Sequence, residues 1–248
     1  MTEDRYFKFT PGVLLVPMIA LLVIWTVFWI EVRFRINLND LGIYPRTTKG
    51  LKGILFSPFI HGSLSHLYNN SIPIVILTAA LIYFYRKIAW KVLLIGTLSA
   101  GILTWLIGRP SFHIGASGLI YVLASFIFFK GIFTKHYRLV ALSLIVVFIY
   151  GSMLWYIFPV KDGISWEGHL AGFLTGIALA VFIKAEVPQV KKYAWEREDY
   201  KEENDEFLRH FDEDGNFIEN PQGDSTSDPE VQIRYHYRKK PPEPPKDS

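Results

Sequence analysis

The sequence contains no cysteine among its 248 residues. This absence excludes disulfide bonds, thiolate nucleophiles and cysteine-ligated metal sites. Acidic side chains are also scarce in residues 1–184, which contain six Asp and Glu against sixteen Lys and Arg, a net charge of +10. Residues 185–248 reverse the balance, with seventeen acidic and ten basic side chains and a net charge of −7. The chain therefore has two parts, and neither has the soluble basic face of a nucleic-acid-binding protein.

Long apolar runs fill the first part. A helix needs about 20 residues to cross a hydrocarbon core of about 30 Å. Six candidate spans approach this length, at about 13–30, 67–85, 88–107, 119–133, 139–158 and 169–184. No small-residue cleavage site follows the first run, so we interpret it as a retained span and not as a signal peptide. The sequence predicts an all-α polytopic membrane protein: a segment 1–12, a six-helix bundle over 13–184, and a soluble, mostly disordered acidic tail over 185–248.

The basic residues predict the orientation of these spans. Short segments on one side contain Arg5, Lys8, Arg86, Lys87, Lys91, Lys130, Lys135, Arg138 and Lys184, whereas the opposite short loops contain only Arg109 and Lys161. The positive-inside rule then puts both termini in the cytoplasm. The long first loop, 31–60, is an exception because it contains Arg33, Arg35, Arg46, Lys49 and Lys52. Its apolar content indicates either an interfacial segment or a substrate gate.

The fourth span has a short apolar stretch. Only eleven residues, Leu119–Phe129, precede Lys130, and they would form about 16 Å of helix, too little to cross the core. We therefore expect this helix to begin within the thickness of the membrane, with Ser117 at its start. Non-helical backbone at that depth is tolerated only inside protein or beside a wet cavity.

Three polar clusters open the even-numbered spans. "HGSLSHLYNN" contains His66 and Asn70 on one helix face, "GASG" contains Ser117, and "GHLAGFLTG" contains His169. Each has an alternative, structural interpretation: interhelical hydrogen bonds for His66 and Asn70, and a helix cap for Ser117. The third cluster also carries a smooth ridge with a period of four residues, suited to close helix packing, at Gly168, Gly172, Gly176 and Ala180.

The predicted topology brings these clusters to one depth, because spans two, four and six enter from the same side. Together they suggest acyl transfer, with Ser117 as nucleophile and His169 as general base. The Ser117 amide at a helix N-terminus, with His66 and Asn70, would stabilise the oxyanion. Glu167 lies about 200° round the helix from His169, so the sequence favours a Ser–His dyad over a triad.

The motifs resemble those of the rhomboid family of intramembrane serine proteases, in a bacterial-type six-span core. The matches are H-x4-H-x3-N from His61 to Asn70, G-x-S-G around Ser117, and His-x2-Gly-x3-Gly from His169 to Gly176. They follow the family's order and spacing over about residues 10–184. Gly168 departs from the alanine that commonly precedes the histidine, and the Trp-Arg pair of some bacterial first loops is not seen.

The resemblance implies hydrolysis of a peptide bond in or beside the transmembrane helix of another membrane protein, without metal or cofactor. Single-span or other membrane proteins would be the substrates, in the lipid bilayer of a bacterial inner membrane. It implies the same roles for Ser117, His169, His66 and Asn70, a structural role for His61, and packing of Tyr121 against His169. We further expect Gly115 to permit a tight backbone and Gly118 to leave room for the Gly172/Gly176 ridge.

Two alternatives remain. A rhomboid-like protein that binds membrane helices without cutting them typically lacks the serine or the histidine, and both are present here. A metal enzyme using His61, His66, His113 and His169 is disfavoured because the sequence has no H-E-x-x-H motif. In the tail, "FDEDGNFI" suggests a hairpin with a DG turn, and "KKPPEPPKDS" indicates disorder.

Overall fold

The computed structural model describes residues 6–187 and 193–218. Its long helices are α1 (Gly12–Phe34), α2 (Leu64–Phe84), α3 (Ala89–Ile107), α4 (Ser117–Thr134), α5 (Tyr137–Tyr150) and α6 (Trp166–Phe182). A 3₁₀ helix, Gly151–Ile157, continues α5. The described residues contain no β-strand beyond two isolated bridges. The predicted all-α polytopic membrane fold is confirmed, with one helix for each predicted span.

Length and composition allow five of these segments to cross a membrane, with α5 counted together with its 3₁₀ continuation. Helix α6 has 17 residues, about 25 Å at 1.5 Å per residue. The outer surface of the bundle is apolar: Phe148 is 89% exposed and Phe182 81%. An apolar exterior around a packed interior is what a hydrocarbon solvent requires.

The expectation that the fourth span is too short is wrong. Helix α4 has 18 residues and continues past Lys130 to Thr134. Lys130 is 7% exposed, and its Nζ donates hydrogen bonds to the carbonyls of Ala180 (3.0 Å) and Ile183 (2.6 Å). A charged donor there satisfies carbonyls that α6 leaves open at its C-terminus. The lysine therefore belongs to the interior of the bundle.

Contacts between the loops show which helix termini lie at each end of the bundle. At one end, which we call the site end, Ile43 of the first loop exchanges backbone hydrogen bonds with His113, between α3 and α4. Arg109 of that loop donates to the Ile164 carbonyl before α6 (2.7 Å). At the opposite end, Tyr83 donates to the Phe7 carbonyl (3.1 Å). Helices α2, α4 and α6 consequently all begin at the site end.

The first loop runs from the end of α1 to the start of α2 and is built from short helical turns. These are Asn39–Leu41, Lys49–Lys52, Gly53–Phe56 and Ser57–Phe59. Arg46 ties the loop to the end of α3 by donating to the Gly108 carbonyl (2.7 Å). Leu55 is 57% exposed and Phe56 45%. The loop is therefore an ordered part of the site end with an apolar outer side.

Residues 193–218 are described by themselves. They contain three single-turn 3₁₀ helices, at Ala194–Glu196, Glu202–Asn204 and Leu208–His210. The predicted DG turn forms, with Gly215 at φ +80° and a bridge between Phe211 and Phe217. The Pro-rich segment expected to be disordered lies outside the described residues, and its disorder stays a prediction.

Candidate active site

The three helices that open the site end begin in two different ways. Ser63 caps α2, its Oγ accepting from the His66 amide (3.1 Å), and Ser165 caps α6, its Oγ accepting from the Gly168 amide (3.3 Å). Helix α4 has Ala116 at its N-cap and no side-chain cap, and Ser117 is its first helical residue. Nowhere in the described chain does Ser117 Oγ make a hydrogen bond within 3.5 Å. The structure thus contradicts the alternative that Ser117 is a helix cap and leaves its hydroxyl available.

Gly115 allows helix α2 to lie against the chain that leads into α4. Its φ is +106°, in the region that favours glycine. A Cβ at this position would lie 2.6 Å from His66 Nε2 and 3.6 Å from Asn70 Nδ2. Only glycine therefore fits here, and the polar groups of His66 and Asn70 lie next to the chain two residues before Ser117.

His66 and Asn70 differ in their partners. Asn70 is buried, and its Nδ2 donates to the His66 carbonyl (3.1 Å), which leaves one of the two amide hydrogens unused. The ring of His66 packs edge-on against His61, with centroids 5.0 Å apart. His61 is 2% exposed; burial, and then the neighbouring His66, lower its pKa to about 4, against a smaller opposing effect of the Phe59 carbonyl. A neutral His61 ring thus braces His66.

The ring of His169 is held on two sides. Its Nδ1 lies 2.9 Å from the carbonyl oxygen of Tyr156, and its face stacks on Tyr121 with centroids 4.4 Å apart and an interplanar angle of 15°. A carbonyl only accepts hydrogen bonds, so Nδ1 carries the hydrogen and Nε2 of the neutral ring has a free lone pair. Tyr121 is itself anchored, because its hydroxyl donates to the Met153 carbonyl (2.6 Å).

Ser117 and His169 are neighbours through their backbones. A Cβ on Gly118 would lie 3.6 Å from the Gly168 carbonyl oxygen, which joins the residue after Ser117 to the residue before His169. A small cavity of about 40 Å³ is lined by Ser117, Gly118 and Gly168. The two side chains do not share a hydrogen bond. Catalytic hydrogen bonds often tighten only when substrate binds.

The glycines of α6 determine how closely it approaches α4. A Cβ on Gly172 would lie 2.2 Å from the Gly118 carbonyl oxygen, and one on Gly176 would lie 1.9 Å from Ser125 Oγ. A side chain on Gly118 would meet nothing closer than 3.6 Å. The expected close contact is therefore real, but it depends on the missing side chain of Gly172 rather than that of Gly118. Gly176 packs deeper in the bundle, away from Ser117.

A polar cluster that the sequence did not reveal lies beside the site. Arg109 Nη1 is 3.3 Å from both carboxylate oxygens of Glu167, and His113 Nδ1 is 2.6 Å from Ser165 Oγ. Glu167 therefore faces Arg109, and the group that orients His169 is a backbone carbonyl. Across residues 6–187 and 193–218, no three His, Asp or Glu side chains are grouped to hold a metal ion.

The sequence-family model of the Rhomboid domain matches residues 49–186, more than half of the chain. This chain belongs to the rhomboid family. An uncharacterized protein of Mycobacterium tuberculosis is 35% identical to it over 173 residues, 66% of this chain and 70% of the relative. An uncharacterized protein of Mycobacterium leprae is 34% identical over 195 residues, 74% of this chain and 76% of the relative.

The rhomboid match contains every residue singled out for the site. It begins in the first loop, so α1 and residues 193–218 lie outside it. Gly168, which departs from the usual alanine of the family, has a local explanation. A Cβ there would lie 2.8 Å from Ser165 Oγ, the cap of α6. In this rhomboid, glycine before the histidine makes room for the serine cap.

Proposed function

We propose that this rhomboid is an intramembrane serine endopeptidase, with Ser117 as nucleophile and His169 as general base. The observation that carries the proposal is the fixed ring of His169, whose Nδ1 donates to Tyr156 while its face stacks on Tyr121. That arrangement leaves the Nε2 lone pair free to act as a base, on the residue that follows Gly168, whose carbonyl oxygen is 3.6 Å from the Cβ position of Gly118. A histidine oriented by one fixed hydrogen bond is what a serine nucleophile requires.

The reaction follows acyl-transfer chemistry. Ser117 Oγ attacks the carbonyl carbon of the scissile bond while His169 Nε2 accepts the hydroxyl proton. The tetrahedral intermediate collapses, the C–N bond breaks, and His169 returns the proton to the leaving amine. Water then attacks the acyl-enzyme, again losing a proton to His169, and Ser117 leaves with that proton. The nucleophile and base are thereby regenerated.

The oxyanion of the intermediate would be stabilised by donors that converge on the start of α4. Ser117 is the first residue of α4, so its amide hydrogen has no partner within the helix, and the helix dipole favours negative charge there. The His66 ring and the unused hydrogen of Asn70 lie beside Gly115. Loss of one such donor typically lowers kcat about 100-fold, which is the effect expected for Asn70→Ala.

The proposed substrates are membrane proteins, single-span or larger, cleaved in or next to a transmembrane helix. We place the protein in the bacterial cell membrane with both termini in the cytoplasm, as the basic loops predict. The chain has no cysteine, so the single variants Asp199→Cys and Gly163→Cys each carry one thiol. Each variant can be exposed to a membrane-impermeant maleimide in spheroplasts. Labelling of Gly163→Cys alone supports this orientation, and the reverse pattern contradicts it.

A serine-reactive fluorophosphonate probe and a reporter with one transmembrane helix test the activity. The purified protein should react with the probe and cleave the reporter, and Ser117→Ala and His169→Ala should each lose both activities. Full cleavage by Ser117→Ala would refute the mechanism. An intact protein that binds the reporter without reacting or cleaving would instead support the alternative, a rhomboid-like protein that binds membrane helices without proteolysis.

A further inference from the structure

Four side chains beside the site have no part in the proposed reaction. We call Arg109, His113, Ser165 and Glu167 the loop clamp. Arg109 and His113 lie in the loop between α3 and α4; Ser165 precedes α6 and Glu167 lies in its first turn. The loop clamp therefore joins the segment that leads into Ser117 to the segment that leads into His169.

Half of the loop clamp is a directional chain of hydrogen bonds. His113 Nε2 is 3.1 Å from the Arg109 carbonyl oxygen, and because a carbonyl cannot donate, Nε2 carries the ring hydrogen. The neutral ring then accepts at Nδ1 from the Ser165 hydroxyl (2.6 Å), whose oxygen accepts from the Gly168 amide (3.3 Å). Burial lowers the pKa of His113 and favours this neutral ring. The chain ends on the residue next to His169.

The other half is an ion pair with one buried partner. The Glu167 side chain is 2% exposed and the Arg109 side chain 42%. Glu167 Oε1 accepts two hydrogen bonds from Arg109, one from the guanidinium Nη1 (3.3 Å) and one from the backbone amide (3.2 Å). Arg109 also donates to the Ile164 carbonyl (2.7 Å). A buried carboxylate with one cationic partner depends strongly on that partner.

These contacts fix the first turn of α6 from the side opposite the His169 ring. On the ring side, Tyr156 and Tyr121 determine the orientation of the imidazole. On the loop side, the clamp determines where the turn lies relative to the chain that leads into Ser117. Residues 158–163 of the preceding loop are all exposed, so this loop offers the first turn of α6 little packing of its own.

We propose that Arg109 and His113 are positioning residues that hold His169 in register with Ser117 through the first turn of α6. The proposal rests on the proposed protease function. Neither residue hydrogen-bonds to the Ser117 hydroxyl or to the His169 ring, so their effect falls on the alignment of base and nucleophile. A misplacement of about 1 Å in such a pair costs about 100-fold in rate.

Steady-state cleavage of the reporter in detergent tests the ion pair. Arg109→Gln should lower kcat between about 10-fold and 100-fold with KM within about twofold of the wild-type value. Glu167→Gln in the same chain removes the unpaired buried charge, and the double variant should recover a substantial part of kcat. Lys87→Gln is the matched control: it breaks the exposed Lys87–Glu186 pair at the opposite end and should leave kcat unchanged.

A spectroscopic measurement separates alignment from catalysis. In ¹⁵N-histidine spectra of the Ser117→Ala protein, His113 should show the Nε2–H tautomer and His169 the Nδ1–H tautomer. Arg109→Gln in that background should shift the His169 resonances, whereas Lys87→Gln should not. This readout does not require a working protease.

The outcomes are distinct. Wild-type kcat in folded Arg109→Gln, or unchanged His169 resonances, would overturn the positioning role even if thermal stability falls. A wild-type protein without activity would refute the proposed function instead. In that case the His169 resonances alone decide whether the loop clamp controls the first turn of α6.

Discussion

Replacing Gly172 by alanine tests the close packing of α4 and α6 most directly. The added Cβ would lie 2.2 Å from the Gly118 carbonyl oxygen, about 1.2 Å short of the 3.4 Å at which ordinary contact begins. The obstacle is backbone, so no side chain can rotate away, and the helices must separate. Overpacking of this kind costs about 1–3 kcal/mol of unfolding free energy, partly offset by up to about 1 kcal/mol from the better helix propensity of alanine.

The same displacement should affect the reaction more than the stability. Gly118 follows Ser117, and Gly172 lies three residues after His169, so a separation of about 1 Å moves nucleophile from base and should lower kcat about 100-fold. Tryptophan-detected thermal unfolding in detergent and reporter cleavage measure the two effects. Gly12→Ala in α1 is the control, because its Cβ would meet nothing closer than 3.9 Å. Wild-type kcat and thermal midpoint in Gly172→Ala would refute backbone contact between α4 and α6.

Three further predictions concern other contacts. Because the pKa of His61 is lowered, the folded protein protonates this ring less readily than the unfolded chain does. The free energy of unfolding should therefore be highest above pH 6.5 and should fall by about 3 kcal/mol as the pH drops to about 4. His61→Phe should flatten this pH dependence of unfolding, and an unchanged slope would exclude His61 as its source. Lys130→Met should lose about 1–3 kcal/mol, because the Ala180 and Ile183 carbonyls lose their donor; an unaltered thermal midpoint would contradict this. Tyr121→Phe keeps the stack on His169 and should reduce kcat less than Tyr121→Ala, whereas equal losses would show that the hydroxyl matters more.

Sequence patterns predicted the features that follow from the spacing of apolar residues and from residue type. Apolar runs of near-bilayer length predicted six helices, because a backbone in lipid must satisfy its own hydrogen bonds. The spacing of four between Gly168, Gly172 and Gly176 indicated a helix face that another backbone can approach. The shared entry side of the even-numbered spans predicted that the starts of α4 and α6 would lie at one end of the bundle, and Gly118 and Gly168 do approach each other there.

The sequence could not predict contacts made with backbone carbonyls or between residues far apart in the chain, because no residue type marks them. The group that orients His169 is the carbonyl of Tyr156, and every residue has a carbonyl. The sequence treats Lys130 as the limit of a short apolar stretch because a lysine in lipid is costly, yet here its ammonium binds the open carbonyls at the end of α6. Arg109 and Glu167 are 58 positions apart, and only the fold shows that they pair.

The contact between Lys130 and the end of α6 has a consequence for membrane insertion. During synthesis α4 is complete about 50 residues before the carbonyls that receive its ammonium, a delay of several seconds at about 5–20 residues per second. Until then the Lys130 ammonium lacks these partners, and its long side chain would reach toward the headgroups. Once α6 is in place, the ammonium would bind the Ala180 and Ile183 carbonyls inside the bundle. The contact that satisfies the C-terminus of α6 would therefore also complete the burial of a charge on α4, the helix that begins with Ser117.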